Sequence, residues 1–280
     1  MPRRSVLFSP GDRPKLLRKA AGAGADVLVF DLEDAVAPER KAEAREAVNE
    51  VLATPEFDPD AEVTVRVNPG EMGLEDVSVI CADHPPDALV VPKATSAEDC
   101  DRVADAASDV GADCPVIAII ENAVGVLAAP EVADAEATTA VIFGAEDFSA
   151  DVGATRTTDG TEVLYARERV VVAAAAAGVD AIDTLHTDFQ DTDGLREDAK
   201  FGLQLGYDGK LAIHPAQVSV INEAFSPDAE DIEWAKKVLQ ARDEASAEGR
   251  GVFSVEGEMI DSPLIKQAEN ILDRAGGSAQ

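Results

Sequence analysis

ADVLVFDLEDAVAPERKAEAREAVNEVL, residues 25–52, is the stretch on which the fold turns. It opens with a β-rich run at 27–31, passes through an acidic turn at Leu32-Glu33-Asp34, and continues as helix-compatible sequence over 39–52. The same phrase recurs along the chain. β-rich runs fall at 5–8, 27–31, 62–67, 88–91, 116–120, 140–143, 181–183 and 210–213. Amphipathic or Ala-rich segments at 14–23, 39–52, 96–110, 165–177 and 195–205 lie between them. Eight candidate strands alternating with helices over this length predict an α/β fold, a (β/α)8 TIM barrel, in preference to a doubly wound sheet.

After Phe225 the alternation stops. Ser226-Pro227-Asp228 starts a long helix predicted to run to about Glu248, carrying the only tryptophan, Trp234. Gly249-Arg250-Gly251, Phe253 and Gly257 break it, and a last helix is predicted from near Ser262-Pro263. The expected organisation is a catalytic barrel over 1–225 and a short C-terminal helical extension over 226–280. The extension is too small for a core of its own and is expected to pack on the barrel and on a neighbouring subunit.

Composition narrows the function. Hydrophobic residues make up 46% of the chain but aromatics only 4%, so the core must be built from Ala, Val, Ile and Leu, as suits a parallel sheet wrapped in helices. Asp and Glu number 55 against 24 Lys and Arg, giving a formal net charge of -31. Such a surface repels nucleic acid and anionic membranes and excludes a general affinity for either. Acids spread along the whole chain point to a halophilic, high-salt cytoplasm, where carboxylates hold hydration and salt screens their repulsion. Cys81, Cys100 and Cys114 lack metal-type spacing and read as reduced structural thiols. With no long apolar span and no signal-peptide core, a soluble cytoplasmic protein is expected.

In a barrel the active site lies where the strands end. Those ends are polar here: Asp31-Leu32-Glu33-Asp34, Arg66 with Asn68-Pro69, Pro92-Lys93, Glu121-Asn122, Gly144-Ala145-Glu146-Asp147, Asp183 and His214-Pro215. Acids gathered around a few bases imply a divalent cation. Magnesium takes a few carboxylates and completes its octahedron with water and substrate oxygens, and Glu121 and Asp147 on adjacent strands fit that need. No histidine pair has the spacing of zinc ligands. Each residue also has a structural reading. Asp147 could cap a helix, Arg66 could pair with an acid, Lys93 could be a solvated loop residue, and His214 could orient a loop.

At these same residues the chain resembles the HpcH/HpaI aldolase and citrate lyase β-subunit family, and within it the citramalyl-CoA, malyl-CoA and β-methylmalyl-CoA lyases. The resemblance runs through LFSPGDRP (7–14), FDLEDAVAP (30–38), VRVN (65–68), VPK (91–93), IIENAVG (119–125), FGAED (143–147) and GKLAIHPAQ (209–217), in order over nearly the whole chain. It implies Glu121 and Asp147 as ligands of Mg2+ or Mn2+, and Arg66 as the arginine on the substrate carbonyl. It also implies Arg13 and Lys19 as contacts to the phosphates of coenzyme A, which is part of the substrate. GEMIDSP (257–263) resembles the segment that carries a catalytic aspartate into a neighbouring subunit's site, which would make Asp261 that residue. Its alternative is an N-cap of the last helix. Glu33 and Asp34 are assigned to orienting metal-bound water or Arg66.

The activity implied is reversible Claisen-type cleavage of a 3-hydroxyacyl-CoA into acetyl-CoA or propionyl-CoA plus a 2-oxo acid, glyoxylate or pyruvate. Two alternatives share the scaffold: a malyl-CoA thioesterase, and a citrate lyase β-chain-like subunit. The implied assembly is a homo-oligomer, a trimer or a dimer of trimers.

Overall fold

Parallel strands that carry apolar residues on both faces must be covered on both sides, and closing the sheet on itself does this for one of them. In the computed structural model, which describes residues 2–247 and 252–276, the sheet closes. The strands are β1 (Ser5–Pro10), β2 (Val27–Asp31), β3 (Glu62–Arg66), β4 (Ala88–Val91), β5 (Val116–Ile120), β6 (Thr138–Phe143), β7 (Asp180–Asp183) and β8 (Gly209–Ala212). Each pairs in parallel with the next, and β8 returns to β1 through Ser5–Lys210 and Leu7–Ala212. The helices are α1 (Pro14–Ala20), α2 (Lys41–Leu52), α3 (Glu71–Ile80), α4 (Ala97–Asp109), α5 (Ala123–Ala133), α6 (Ala145–Asp151), α7 (Leu164–Ala177), α8 (Thr192–Leu205) and α9 (Pro215–Phe225).

The barrel predicted from the alternation is therefore the barrel observed, with element ends shifted by a few residues. Helix α1 stops at Ala20 where 23 was expected. Inside the barrel Val6, Val27, Val29, Ala88, Val90, Ile117, Ile119, Ala140, Ile142, Ile182 and Leu211 form one cluster. Full burial contributes roughly 1.5–3 kcal/mol for each Val, Ile or Leu side chain. The face at the strands' N-terminal ends is locked by Arg3, which bonds Glu62 at 2.7 and 2.9 Å, Asp180 at 3.0 Å and the Thr139 carbonyl at 3.1 Å. Gly209 opens β8 beside this segment, where a Cβ would fall 1.9 Å from the Arg3 carbonyl oxygen.

The chain divides into two units, residues 3–222 and 223 onward. The second contains α10 (Ala229–Ala247), β9 (Phe253–Val255), β10 (Glu258–Ile260) and α11 (Ser262–Arg274). Sequence reading expected only helices here, whereas β9 and β10 form an antiparallel hairpin. Its turn, Glu256-Gly257, has φ of 51° and 89°, the two positive values of a tight hairpin turn, which a helix-oriented reading of Gly257 as a breaker passes over. Phe253 and Ile260 join Ala235, Val238, Leu239 and Ile271 in a small core of their own. The predicted helix end at Glu248 and the Gly249-Arg250-Gly251 stretch lie outside the described residues. Among the described residues no helix is long and apolar enough to cross a membrane.

Candidate active site

Side chains alternate along a strand, so the interior residues of each strand project, two positions on, into the mouth. Val27 and Val29 lead to Asp31, Ile117 and Ile119 to Glu121, Ile142 to Gly144, Ile182 to Thr184, and Leu211 to Ile213. Arg66 closes β3 directly opposite Asp31. Asp31, Arg66, Glu121, Gly144, Thr184 and Ile213 line one cavity of about 440 Å³ with Phe8, Asp34, Glu146 and Asp147.

Arg66 is the best-fixed group in it. Its Nε and Nη2 donate to the two oxygens of Asp31 at 2.7 and 2.6 Å, and its plane lies 5.1 Å over the Phe8 ring. Asp31, 2% exposed, also accepts the backbone N–H groups of Glu33 at 2.8 Å and Ala35 at 3.0 Å. Burial opposes the charge of Arg66, but the hydrogen bonds and charge of Asp31, with Glu33 and Asp34, outweigh it and hold the guanidinium above its ordinary value. Nη1 of Arg66 meets Glu33 Oε2 at 2.9 Å, and the other Glu33 oxygen takes the ammonium of Lys93. Burial still pushes the Glu33 carboxyl up, against the pull of Arg66 and Lys93. The turn itself is pinned by Lys41, whose Nζ donates to the carbonyls of Leu32 and Glu33 at 2.7 and 2.6 Å.

Across the mouth, Glu121 sits between the end of β5 and Asn122, which caps α5 by accepting Gly125 N–H at 2.8 Å. Burial, then the charges of Glu33 and Asp147, push its carboxyl up to about 8, with Lys93 pulling the other way. Gly144 makes room for it, since a Cβ there would lie 2.8 Å from Glu121 Oε2. Asp147 stands in the first turn of α6 rather than at its N-cap, which is Gly144. That turn is tied to β7 through Ala145 N–H, which donates to Thr184 Oγ1 at 3.1 Å. Glu146 is engaged by Arg156 at 2.9 Å, while Asp147 has no hydrogen-bond or ion-pair partner among the described residues.

Two carboxylates facing one cavity, Glu121 buried and Asp147 half-buried and unpartnered, could hold a hard divalent cation. Among the described residues no three or more His, Cys, Asp or Glu form a metal cage. A cation here would therefore keep several positions for water and substrate oxygens, as magnesium does.

Of the other predicted residues Asp34 lines the cavity and the rest are dispersed. Asp34 is 61% exposed and reaches Arg66 only at 3.7 Å. Arg13 stands at the N-cap position of α1 without a side-chain capping bond and Lys19 lies in its last turn, both exposed and neither lining the cavity. Asp261, in the second unit, is exposed and accepts Leu264 N–H as the N-cap of α11. Two members of the strand-end series do not face the mouth chemistry. Asp183 points the other way, into a buried cluster with Arg167 at 2.8 Å and Lys210 at 2.9 Å, because it is one residue out of phase with interior Ile182. His214 turns its loop, its Nδ1 accepting Ala216 N–H at 3.1 Å and its ring stacked on Phe189. Asp31 and Gly144 stand among the strand ends named from sequence but carry no role there, and Thr184 is not among them. Counting by twos reaches all three once closure of the sheet has fixed which strand residues are interior.

A profile of the HpcH/HpaI aldolase/citrate lyase family matches residues 4–215. The chain belongs to this family. Among its relatives are the mitochondrial citramalyl-CoA lyase of Mus musculus, 37% identical over 98% of this chain and 86% of that one, and the (3S)-malyl-CoA thioesterase of Cereibacter sphaeroides, 36% identical over 98% and 95%. A crystal structure of the protein CitE from Mycobacterium tuberculosis, in complex with magnesium, acetoacetate and coenzyme A, superposes with a TM-score of 0.81 at 36% identity, covering 99% of each chain. The HpcH/HpaI match spans every strand of the barrel and every cavity residue named above. The barrel thus lies within the family match, and the second unit lies beyond it.

Proposed function

We propose that this chain is a magnesium-dependent lyase that cleaves a 3-hydroxyacyl-CoA between C2 and C3, releasing acetyl-CoA or propionyl-CoA and glyoxylate or pyruvate. The observation that carries the reading is the convergence of Glu121, Asp147 and a locked Arg66 on one cavity. The relatives that act on citramalyl-CoA and malyl-CoA supply the substrate class.

Glu121 and Asp147 would hold the cation. Bound there, it would supply a Lewis acid that polarises the oxygen that becomes the 2-oxo acid's carbonyl. Asp31 and Glu33 keep the Arg66 guanidinium in one orientation, so that its remaining N–H groups serve the thioester oxygen as negative charge builds there. One preorganised donor of this kind is worth about 3 kcal/mol. As the 3-hydroxyl gives its proton to solvent, its oxygen forms the new carbonyl of the 2-oxo acid, the C2–C3 bond breaks, and that bond's electron pair passes to the acyl-CoA as its enolate. Asp261, which is exposed, would reach the site from a neighbouring copy, give its proton to C2 and take one from the acyl-CoA in the reverse direction. Arg13 and Lys19 are offered to the coenzyme A phosphates.

A thioesterase outcome is the second reading, favoured by the malyl-CoA thioesterase at nearly the same identity as the lyase. The same donors would then serve water attacking the thioester carbonyl. Incubating the purified chain with malyl-, β-methylmalyl- and citramalyl-CoA, in magnesium and high salt, separates the two. Glyoxylate or pyruvate with a shorter acyl-CoA is expected. Free malate or citramalate without them would establish hydrolysis, and no turnover without an added carrier subunit would point to a citrate lyase β-chain.

A further inference from the structure

Only two non-glycine residues among those described place their backbone at positive φ, Lys93 at 55° and Glu256 at 51°. Glu256 belongs to a hairpin turn that requires it. Lys93 follows β4 at the barrel mouth, and a long side chain held there costs free energy that glycine would not.

The path of the chain is imposed by its neighbours. Ala94 N–H donates to Ile119 O at 3.0 Å, and Ala94 O lies so close to α5 that a Cβ on Gly125 would fall 2.4 Å away. The segment is clamped to β5 and α5, and the bend is absorbed at Lys93. What the bend gives in return is two contacts from one residue. The Lys93 backbone N–H donates to Glu121 Oε1 at 2.9 Å, and the side chain carries its ammonium to Glu33 Oε1.

We propose that Lys93 is a positioning residue that works through both ends at once. Its left-handed backbone fixes one oxygen of Glu121 and leaves the other for the cation, while its ammonium holds Glu33 on Arg66 and keeps Glu33 from becoming a third ligand. The inference rests on Glu121 being a metal ligand, as proposed above. It differs from a general structural role in one respect: the two ends fail separately. Without the ammonium, Glu33 is free to swing toward the cation, so binding tightens as Arg66 loses its second anchor. Without the backbone contact, Glu121 loosens and binding weakens.

The test uses Mn2+ binding, followed by the electron paramagnetic resonance signal of the free ion, beside steady-state turnover and melting temperature. Lys93→Met removes the ammonium alone. It is expected to bind Mn2+ at least as tightly as wild type while kcat falls at least about tenfold, the usual scale for a group supporting a metal site. Lys93→Gly keeps the N–H, relieves the backbone and should bind Mn2+ like Lys93→Met without a lower melting temperature. Lys93→Val, whose β-branch resists positive φ, should bind Mn2+ about tenfold more weakly than Lys93→Gly. Unchanged kcat or weaker Mn2+ binding in Lys93→Met overturns the ammonium half. Equal Mn2+ affinity in the Val and Gly variants overturns the backbone half. Failure of the wild-type chain to bind Mn2+ sinks the metal assignment itself, and that result needs no variant.

Discussion

Asp31→Asn tests whether Arg66 is held or merely nearby. The carboxylate accepts four hydrogen bonds, from Arg66 Nε and Nη2 and from the N–H groups of Glu33 and Ala35, all between 2.6 and 3.0 Å. An asparagine has one acceptor oxygen and turns an NH2 group toward the remaining donors. At least one side of the fork is lost, and the nearest carboxylate left to Arg66, buried in the wall, is Glu33 at 2.9 Å. Breaking a buried ion pair by removing one partner costs about 3–5 kcal/mol, and the surviving Glu33 contact argues for the lower end. For a domain of this size 3 kcal/mol corresponds to a fall in Tm of roughly 6–12 °C. If a loosened Arg66 also forfeits its contribution of about 3 kcal/mol to the transition state, kcat drops roughly 100-fold. Thermal melting and steady-state kinetics, both in high salt, measure the two effects. A variant that melts within about 2 °C of wild type and turns over within about threefold of it would refute the idea that Asp31 holds Arg66 in place.

Three further outcomes follow from the same geometry. Because the Glu121 carboxyl is raised to about 8 from an ordinary 4.5, the metal-free folded chain keeps a proton that the unfolded chain has lost; its stability should fall as pH rises from about 4.5 to about 8. Saturating Mg2+ should remove most of that slope and raise the melting temperature, and an unchanged slope in urea titrations with Mg2+ would remove Glu121 from the ligand set. Asp183→Asn leaves Arg167 and Lys210 with a buried, broken cluster and should cost about 3 kcal/mol or more in stability. Since Asp183 lies outside the cavity, the KM of whatever folded enzyme remains should stay near the wild-type value. Asp261→Ala should abolish turnover while Mg2+ affinity, read by calorimetry, stays intact; turnover at the wild-type rate would return Asp261 to helix capping alone.

The sequence by itself determined the barrel, because eight β-rich runs alternating with helical segments leave few other ways to cover strands that are apolar on both faces. It also placed Glu33, Arg66, Glu121 and Asp147 near the mouth, since the end of each strand can be read without knowing how the strands twist. What it did not decide was which strand-end side chains face inward. Parallel strands buried on both sides show no polar alternation, so Val27-Leu28-Val29-Phe30 does not announce which residues line the interior. Only closure of the sheet set that phase, turning Asp31 and Glu121 into the mouth and Asp183, one residue out of step, into the helix layer. Tertiary packing likewise bent the backbone at Lys93, because its neighbour Ala94 is clamped between β5 and α5. No local preference of a lysine would have called for positive φ there.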